Sequence, residues 1–135
     1  MIVVDTSALG SMFFSEKYGE LVEEFIRNED KVLTLDLVYY EFSNAIRKRI
    51  SRKELSVEKS REIFEDFKEL MSGFEIHFYS EVIDDAFDLA IKNNITVFDA
   101  SFVVLAIKNN CRLLTTDLRL FNNSALKNVF VNITK

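Results

Sequence analysis

The sequence predicts one α/β domain over residues 1–135, built on a central, mostly parallel sheet of about five strands. Short β-branched or leucine-rich runs alternate with longer stretches of helical periodicity, which is typical of βαβ units. A chain of 135 residues, 48% of them hydrophobic and thirteen of them Phe, can bury one sizeable core without disulfides. The chain has no Pro and only three Gly, so no linker marks a domain boundary.

The strand candidates are the apolar runs at residues 2–5, 31–35, 74–78, 112–115 and 129–133. Helical stretches lie between them, near residues 7–15, 18–28, 37–51, 56–71, 81–93, 99–109 and 117–122. In the third helix an apolar stripe recurs at helical spacing, through Val38, Phe42, Ala45, Ile46 and Ile50. Ser56 is the predicted N-cap of the fourth helix, and Gly73 is its predicted end. The run from Asp99 to Ile107 is apolar almost all round, which predicts a central, buried helix.

Four acidic residues stand where a carboxylate is normally a poor choice. They are Asp5, Glu41, Asp99 and Asp117. The three Asp residues directly follow apolar runs, and Glu41 lies inside the third predicted helix between Tyr40 and Phe42. Charged side chains are seldom fully buried unless they are paired or bind a metal. The four positions are therefore candidates for a functional site.

The predicted topology can bring these acids together. In an open parallel sheet, ligands bind at the carboxyl ends of the strands, near the point where the strand order reverses. Asp5 and Asp117 follow predicted strands, whereas Asp99 opens a helix and Glu41 lies about a turn into another. Converging carboxylates would bind hard divalent cations, and two such ions could activate a water and stabilise the leaving oxygen of a phosphodiester.

Each acid also has a plainer interpretation. Asp is a favoured N-cap, and all three Asp residues precede predicted helices. Glu41 has no capping role, although a tilted, solvent-facing position would also explain it. Only the ordered set of four favours a metal site over separate structural roles.

Net charge and cysteine usage restrict the partners and the environment. The formal charge of −5 argues against broad, sequence-independent adhesion to nucleic acid, but the four acids supply four of these charges, which bound cations would offset. Cys111 is the only cysteine, so no internal disulfide can form and a reducing, cytoplasmic location is expected. No apolar run approaches the ~20 residues of a membrane helix, so no membrane partner is predicted.

The ordered acids and their neighbours resemble the PIN-domain ribonucleases, and within them the VapC-type toxins of toxin–antitoxin pairs. The motifs that carry the resemblance are Asp5-Thr6-Ser7 after the first strand, Glu41-x-x-Asn44 in a helix, Val97-Phe98-Asp99-Ala100, and Thr115-Thr116-Asp117. Each motif alone is weak, but together they span the chain in the family's order and with its ordinary spacing.

The resemblance implies a three-layer α/β/α PIN-like fold. It also implies an endoribonuclease that depends on Mg²⁺ or Mn²⁺, forms a homodimer and is held inactive by a small antitoxin protein. Asp5, Glu41, Asp99 and Asp117 match the family's catalytic, metal-binding acids, and Ser7, Asn44 and Thr115 match polar positions around them. Asp36 is a departure, because many relatives have Pro or a small residue there; it is a candidate cap of the third helix.

A basic run lies two turns beyond Glu41 on the same helix. Lys and Arg are favoured near helix C-termini, so a solvated helix end is the plainer interpretation. The alternative is contact with RNA phosphates through Arg47, Lys48, Arg49 and Arg52.

Other functions compete with a toxin ribonuclease. Two alternatives share the fold: an RNA-processing nuclease without an antitoxin, and a non-catalytic RNA- or protein-binding module, which an intact set of acids disfavours. A phosphoacceptor signalling domain would have adjacent acids after the first strand, where Thr6 and Ser7 follow Asp5. A dehalogenase-type phosphatase would need a second Asp at the position of Ser7.

Overall fold

A computed structural model describes residues 1–134 of the chain. Its strands and helices are β1 Ile2–Val4, α1 Thr6–Phe13, α2 Gly19–Asn28, β2 Val32–Leu35, α3 Leu37–Ser51, α4 Val57–Ser72, β3 Glu75–His77, α5 Ile83–Asn93, α6 Val97–Lys108, β4 Arg112–Leu114 and α7 Leu118–Phe121. Short 3₁₀ segments at Tyr79–Glu81 and Ser124–Val129 lie before α5 and after α7.

The strands form a parallel sheet in the order β3-β2-β1-β4. The chain places β2 and β3 on one side of β1, and then crosses back to place β4 on the other side. The strand order therefore reverses between β1 and β4, which is where open α/β sheets bind their ligands. Every residue of β1 and β2 is buried, as expected for inner strands covered on both faces.

Helices cover both faces of this sheet. Right-handed crossovers place α1–α4 on one face and α5–α6 on the other. The packing agrees, since α1 contacts α2 and α3, α3 contacts α4, and α5 runs along α6. Phe42 and Phe67 stack between α3 and α4 with ring centroids 4.2 Å apart. Residues 100–106 of α6 are all buried, as predicted for this apolar helix. The predicted α/β/α architecture is confirmed.

The predicted fifth strand, 129–133, is wrong. Within residues 1–134 the sheet has four strands, and the last segment forms only an isolated parallel bridge between Phe130 and Leu113. The Asn132 side-chain oxygen accepts hydrogen bonds from the Thr134 amide and hydroxyl, both at 3.0 Å. This local turn uses the Thr134 amide, a donor that would otherwise be free to bond to a neighbouring strand.

In the described part of the chain, no single helix is long and apolar enough to cross a membrane. Helices α5 and α6 reach the required length and hydropathy only as a pair, with a bend of 115° between them.

Candidate active site

Asp5 follows the inner strand β1 at the carboxyl edge of the sheet. Its backbone amide donates to the Leu114 carbonyl of β4 at 3.4 Å, beside the point where the strand order reverses. Its side chain is buried, with only 5% of the residue exposed. One carboxylate oxygen, Oδ1, accepts hydrogen bonds from the Ala8 amide at 2.9 Å and the Ser7 hydroxyl at 2.7 Å. Asp5 is therefore the N-cap of α1 as well as a buried acid at the sheet edge.

Burial controls the ionisation of Asp5. It raises the pKa of this carboxyl to about 6, although hydrogen bonds from Thr115, Ala8 and Ser7 oppose the shift. The negative charge of Asp99 raises the pKa further. The groups that oppose the shift most strongly are neutral hydrogen-bond donors. A buried carboxylate in these surroundings would be stabilised by a bound cation.

Hydroxyl groups join the end of β4 to α1 beneath the acids. Ser7 Oγ lies 3.0 Å from Thr115 Oγ1 and accepts a hydrogen bond from the Thr116 amide at 3.1 Å. Thr115 is fully buried, and its Oγ1 accepts from the Asp117 amide at 3.2 Å. Ser7 and Thr115 thus lie between Asp5 and Asp117; their orienting role stays a prediction.

Asp117 is the N-cap of the short helix α7. Its Oδ1 accepts hydrogen bonds from the Arg119 amide at 3.1 Å and the Leu120 amide at 3.3 Å. Both capping bonds use the same oxygen, so Oδ2 can bind another group. The structural and functional interpretations of Asp117 are therefore compatible.

The structure corrects the predicted start of α6. This helix begins at Val97 rather than at residue 99, because Thr96 is its cap and accepts a hydrogen bond from the Asp99 amide at 3.0 Å. Asp99 lies in the first helical turn, so its carboxylate does not cap the helix. Since α6 packs against β1 and β4, its N-terminal turn brings Asp99 to the edge occupied by Asp5 and Asp117.

Glu41 reaches the same edge from α3. It is half-buried, and its Oε1 accepts a hydrogen bond from the Thr6 hydroxyl at 2.6 Å. This bond ties α3 to the residue directly after Asp5, which is not the solvent-facing position considered from the sequence. Thr6 was not among the site residues predicted from the sequence, although it is part of the Asp5-Thr6-Ser7 motif.

Asp99 is the centre of this group electrostatically. Its charge raises the pKa values of both Asp5 and Glu41, in each case after the larger effect of burial. The pKa of Asp99 itself is raised first by burial and then by the charge of Asp117. Asp99 is therefore the acid through which the electrostatic effects on Asp5, Glu41 and Asp99 itself are connected.

The donor set of this group fits a hard divalent cation. Carboxylate oxygens are the ligands that Mg²⁺ prefers, whereas soft metals prefer sulfur. No three His, Cys, Asp or Glu side chains in the range 1–134 already stand close enough to hold one ion. A bound cation would have to draw these carboxylates together.

The role of Asn44 beside the acids stays a prediction, whereas the expected role of Asp36 is contradicted. The Asn44 side-chain oxygen accepts a hydrogen bond from Arg47 Nε at 2.9 Å, and within the described chain no hydrogen bond joins Asn44 to Glu41. Asp36 occupies the N-cap position of α3, but its side chain makes no capping hydrogen bond. The expectation that Asp36 caps the helix is wrong, because its backbone is already helical (φ −58°, ψ −24°) instead of extended.

The predicted basic run lies on the last turns of α3. Arg47, Lys48 and Arg52 are exposed. Arg49 is engaged, because it pairs with Glu16 at 2.9 Å and with Glu54 at 3.5 Å and lies over the Phe14 ring. Contact between this run and RNA stays a prediction, and Arg49 could take part only by leaving its acidic partners.

Arg119 is a further residue of the site that was not predicted. A cavity of about 630 Å³ opens beside Asp99. It is lined by Asn94, Ile95, Thr96, Asp99, Arg119, Leu120 and Asn123. The positive charge of Arg119 lowers the pKa of Asp99, opposing the effects of burial and Asp117. The available signal was a basic residue two positions after Asp117.

Comparisons with known proteins identify the family of this fold. The PIN domain family model matches residues 2–125. Ribonuclease VapC3 of Pyrobaculum aerophilum is 36% identical over 119 residues, which are 88% of this chain and 91% of that protein. The crystal structure of PAE2754 from Pyrobaculum aerophilum is similar with a TM-score of 0.69 and 25% identity, over 96% of this chain and 87% of that one. A toxin–antitoxin complex from Klebsiella pneumoniae shares the fold, with a TM-score of 0.71 and 14% identity over 98% and 97% of the two chains. This chain therefore belongs to the PIN-domain family.

Proposed function

We propose that this protein is a divalent-metal-dependent endoribonuclease that hydrolyses RNA phosphodiester bonds at the acids around Asp99. The observation that carries the proposal is the buried Asp5 carboxylate at the point where the strand order reverses, linked through Asp99 to Glu41 and Asp117. Buried acids are retained where they bind ions or do chemistry. Similarity to ribonuclease VapC3 supports RNA as the substrate class.

Four carboxylates are the proposed metal ligands, and neighbouring groups of the chain hold two of them by hydrogen bonds. Mg²⁺ or Mn²⁺ would be held by Asp5, Glu41, Asp99 and Asp117. When bound, these ions supply Lewis-acid activation of water and neutralise charge at the phosphate. The Ala8 amide and Ser7 hydroxyl hold Asp5 in place, and the Thr6 hydroxyl holds Glu41.

We further infer a biological role as the toxin of a toxin–antitoxin pair. The support is the similarity to a ribonuclease of the VapC type over most of both chains. The partners proposed on this basis are a small antitoxin protein and a second copy of the chain in a homodimer. The proposed location is the cytoplasm, where such a toxin would meet its RNA.

The wild-type protein is expected to cut RNA with Mg²⁺ or Mn²⁺ and to stop in EDTA, because the acids alone repel the substrate and supply no activation of water. The measurement is cleavage of a panel of tRNA, rRNA and mRNA fragments by metal-free protein to which each ion is added back, with the ends mapped. Cutting that continues undiminished in excess EDTA would contradict the proposal. So would a complete lack of cutting in both ions across the panel.

A further inference from the structure

The cavity beside Asp99 carries an inference that rests on the proposed function and extends it to the substrate. Its volume of about 630 Å³ falls within the range of sites that bind small molecules, and a single nucleotide belongs to that size class. Asp99 forms part of its lining, so a molecule bound in the cavity would adjoin the carboxylates. The remaining lining combines one cation, two amides, a hydroxyl and apolar surface.

Arg119 is the cationic group of this cavity. It lines the cavity together with Asp99. The residue is exposed, and in the described part of the chain only its backbone amide is hydrogen-bonded, to Asp117. Arg presents several N–H donors in a planar fork that matches the oxygens of a phosphate. Such a guanidinium, with no salt bridge to any of residues 1–134 and beside a site for a polyanion, is therefore suited to hold a backbone phosphate.

The charge balance of the surroundings makes this cation important. The four carboxylates repel an approaching RNA chain, and Arg49, which is on the basic run, is already paired with Glu16 and Glu54. Arg119 provides positive charge directly beside the acids. A phosphate held there would be fixed next to the reacting group instead of at a distant surface.

Two amide side chains line the same cavity. In the described residues Asn94 makes no side-chain hydrogen bond, and it ends α5 in a left-handed conformation (φ 52°, ψ 48°). The Asn123 oxygen accepts from the Ala125 amide at 3.1 Å, which leaves its Nδ2 donors available. Ile95 and Leu120 add apolar surface. Amide groups beside apolar surface suit an unstacked base, whose edge Asn can contact by hydrogen bonds.

We propose that this cavity is a nucleotide subsite of the ribonuclease. Arg119 binds the phosphate next to the scissile bond, and Asn94 and Asn123 contact the base attached to it. The subsite positions the RNA chain against the carboxylates and makes cleavage depend on the base that occupies the cavity.

The test uses Arg119→Gln, with Arg112→Gln as the matched control. Arg112 is also an exposed Arg, but it begins β4 at the opposite edge of the sheet. The four nucleoside 5′-monophosphates and inorganic phosphate are titrated into isotopically labelled full-length protein with Mg²⁺. In the wild type and in Arg112→Gln, the monophosphates should shift the side-chain amide signals of Asn94 and Asn123. Arg119→Gln should weaken this binding by about tenfold or more, because a charge-assisted pair is lost.

Cleavage kinetics provide the second readout. Arg119→Gln should raise KM more than it lowers kcat, and Asn94→Ala combined with Asn123→Ala should change the preferred base at the cut. Equal nucleotide affinity in Arg119→Gln and Arg112→Gln would overturn the subsite, as would amide signals that no monophosphate moves. If Arg119 only neutralises Asp99, Arg119→Gln would change the melting temperature in EDTA but not the affinity for nucleotides. That result would also overturn the subsite. Nucleotide binding without RNA cleavage would contradict the proposed function alone, so the two failures are distinguishable.

Discussion

Asp5→Asn is expected to lower RNA cleavage by at least about 100-fold in saturating Mg²⁺ while the fold stays intact. The Asn oxygen can still accept the hydrogen bonds from Ala8 and Ser7, so the change removes charge with little change in shape. Mutation of a residue that only orients a metal ligand typically lowers metal affinity or activity by about 10- to 100-fold, so mutation of a ligand itself should lower activity further. Single-turnover cleavage rates measure the effect, and circular dichroism checks the fold.

The matched control for this variant is Asp30→Asn. Asp30 is an exposed acid just before β2, at the amino edge of the sheet, and loses the same charge. Its variant should cut RNA like the wild type. If Asp5→Asn retained activity within tenfold of the wild type, Asp5 would lie outside the catalytic group. An equal loss in both variants would indicate a general effect of net charge.

In EDTA near neutral pH, Asp5→Asn is expected to be more stable than the wild type by about 3 kcal/mol. Burial raises the pKa of Asp5 from its ordinary value of 3.8 to about 6, and each unit corresponds to about 1.4 kcal/mol. Because the pKa is higher in the folded state, the contribution of Asp5 to stability is fully present below its unfolded pKa. It is lost as the pH rises through about 6, since the folded protein then carries a buried charge.

The free energy of unfolding of both proteins, measured in EDTA from about pH 4 to above pH 7, tests this prediction. The advantage of Asp5→Asn should be near zero at about pH 4 and should reach its maximum above about pH 7, where it corresponds to roughly 10 °C in melting temperature. Asp30→Asn, at an exposed position, is the control for a general effect of the lost charge. A difference that is constant with pH, or one that favours the wild type, would mean that Asp5 acts only as the cap of α1.

The parts of the fold that follow local rules were predictable from the sequence. Alternating apolar runs and helical stripes indicate a parallel sheet, and Asp5 and Asp117 follow strands whose ends meet at one edge. The strand order depends on pairings between distant segments, which no local pattern encodes. The segment 129–133 shows why. Phe130, Val131 and Ile133 are buried, but Asn132 forms a turn and the segment pairs with the sheet through one bridge only.

For the site, too, the sequence predicted some features and not others. The types and order of the four acids were visible, because carboxylates beside apolar runs are unusual. Their contacts were not: Thr96 and Asp99 are both good caps, and only the packed helix shows that Thr96 takes that role. The Thr6 hydroxyl donates a hydrogen bond to Glu41, whereas the side-chain oxygen of Asn44 accepts one from Arg47. Side-chain direction after folding, rather than sequence spacing, decides these contacts.

The most direct test of the central claim is the stability of the wild type and of Asp99→Asn during a Mn²⁺ titration, because the charge of Asp99 raises the pKa values of both Asp5 and Glu41. Mn²⁺ should stabilise the wild type by about 2.7 kcal/mol when the free ion reaches about 100 times its Kd. Asp99→Asn should be more stable than the wild type in EDTA, since burial and Asp117 raise the pKa of Asp99, and should gain far less from the ion. Equal stabilisation of both proteins by Mn²⁺ would contradict a metal site built around Asp99.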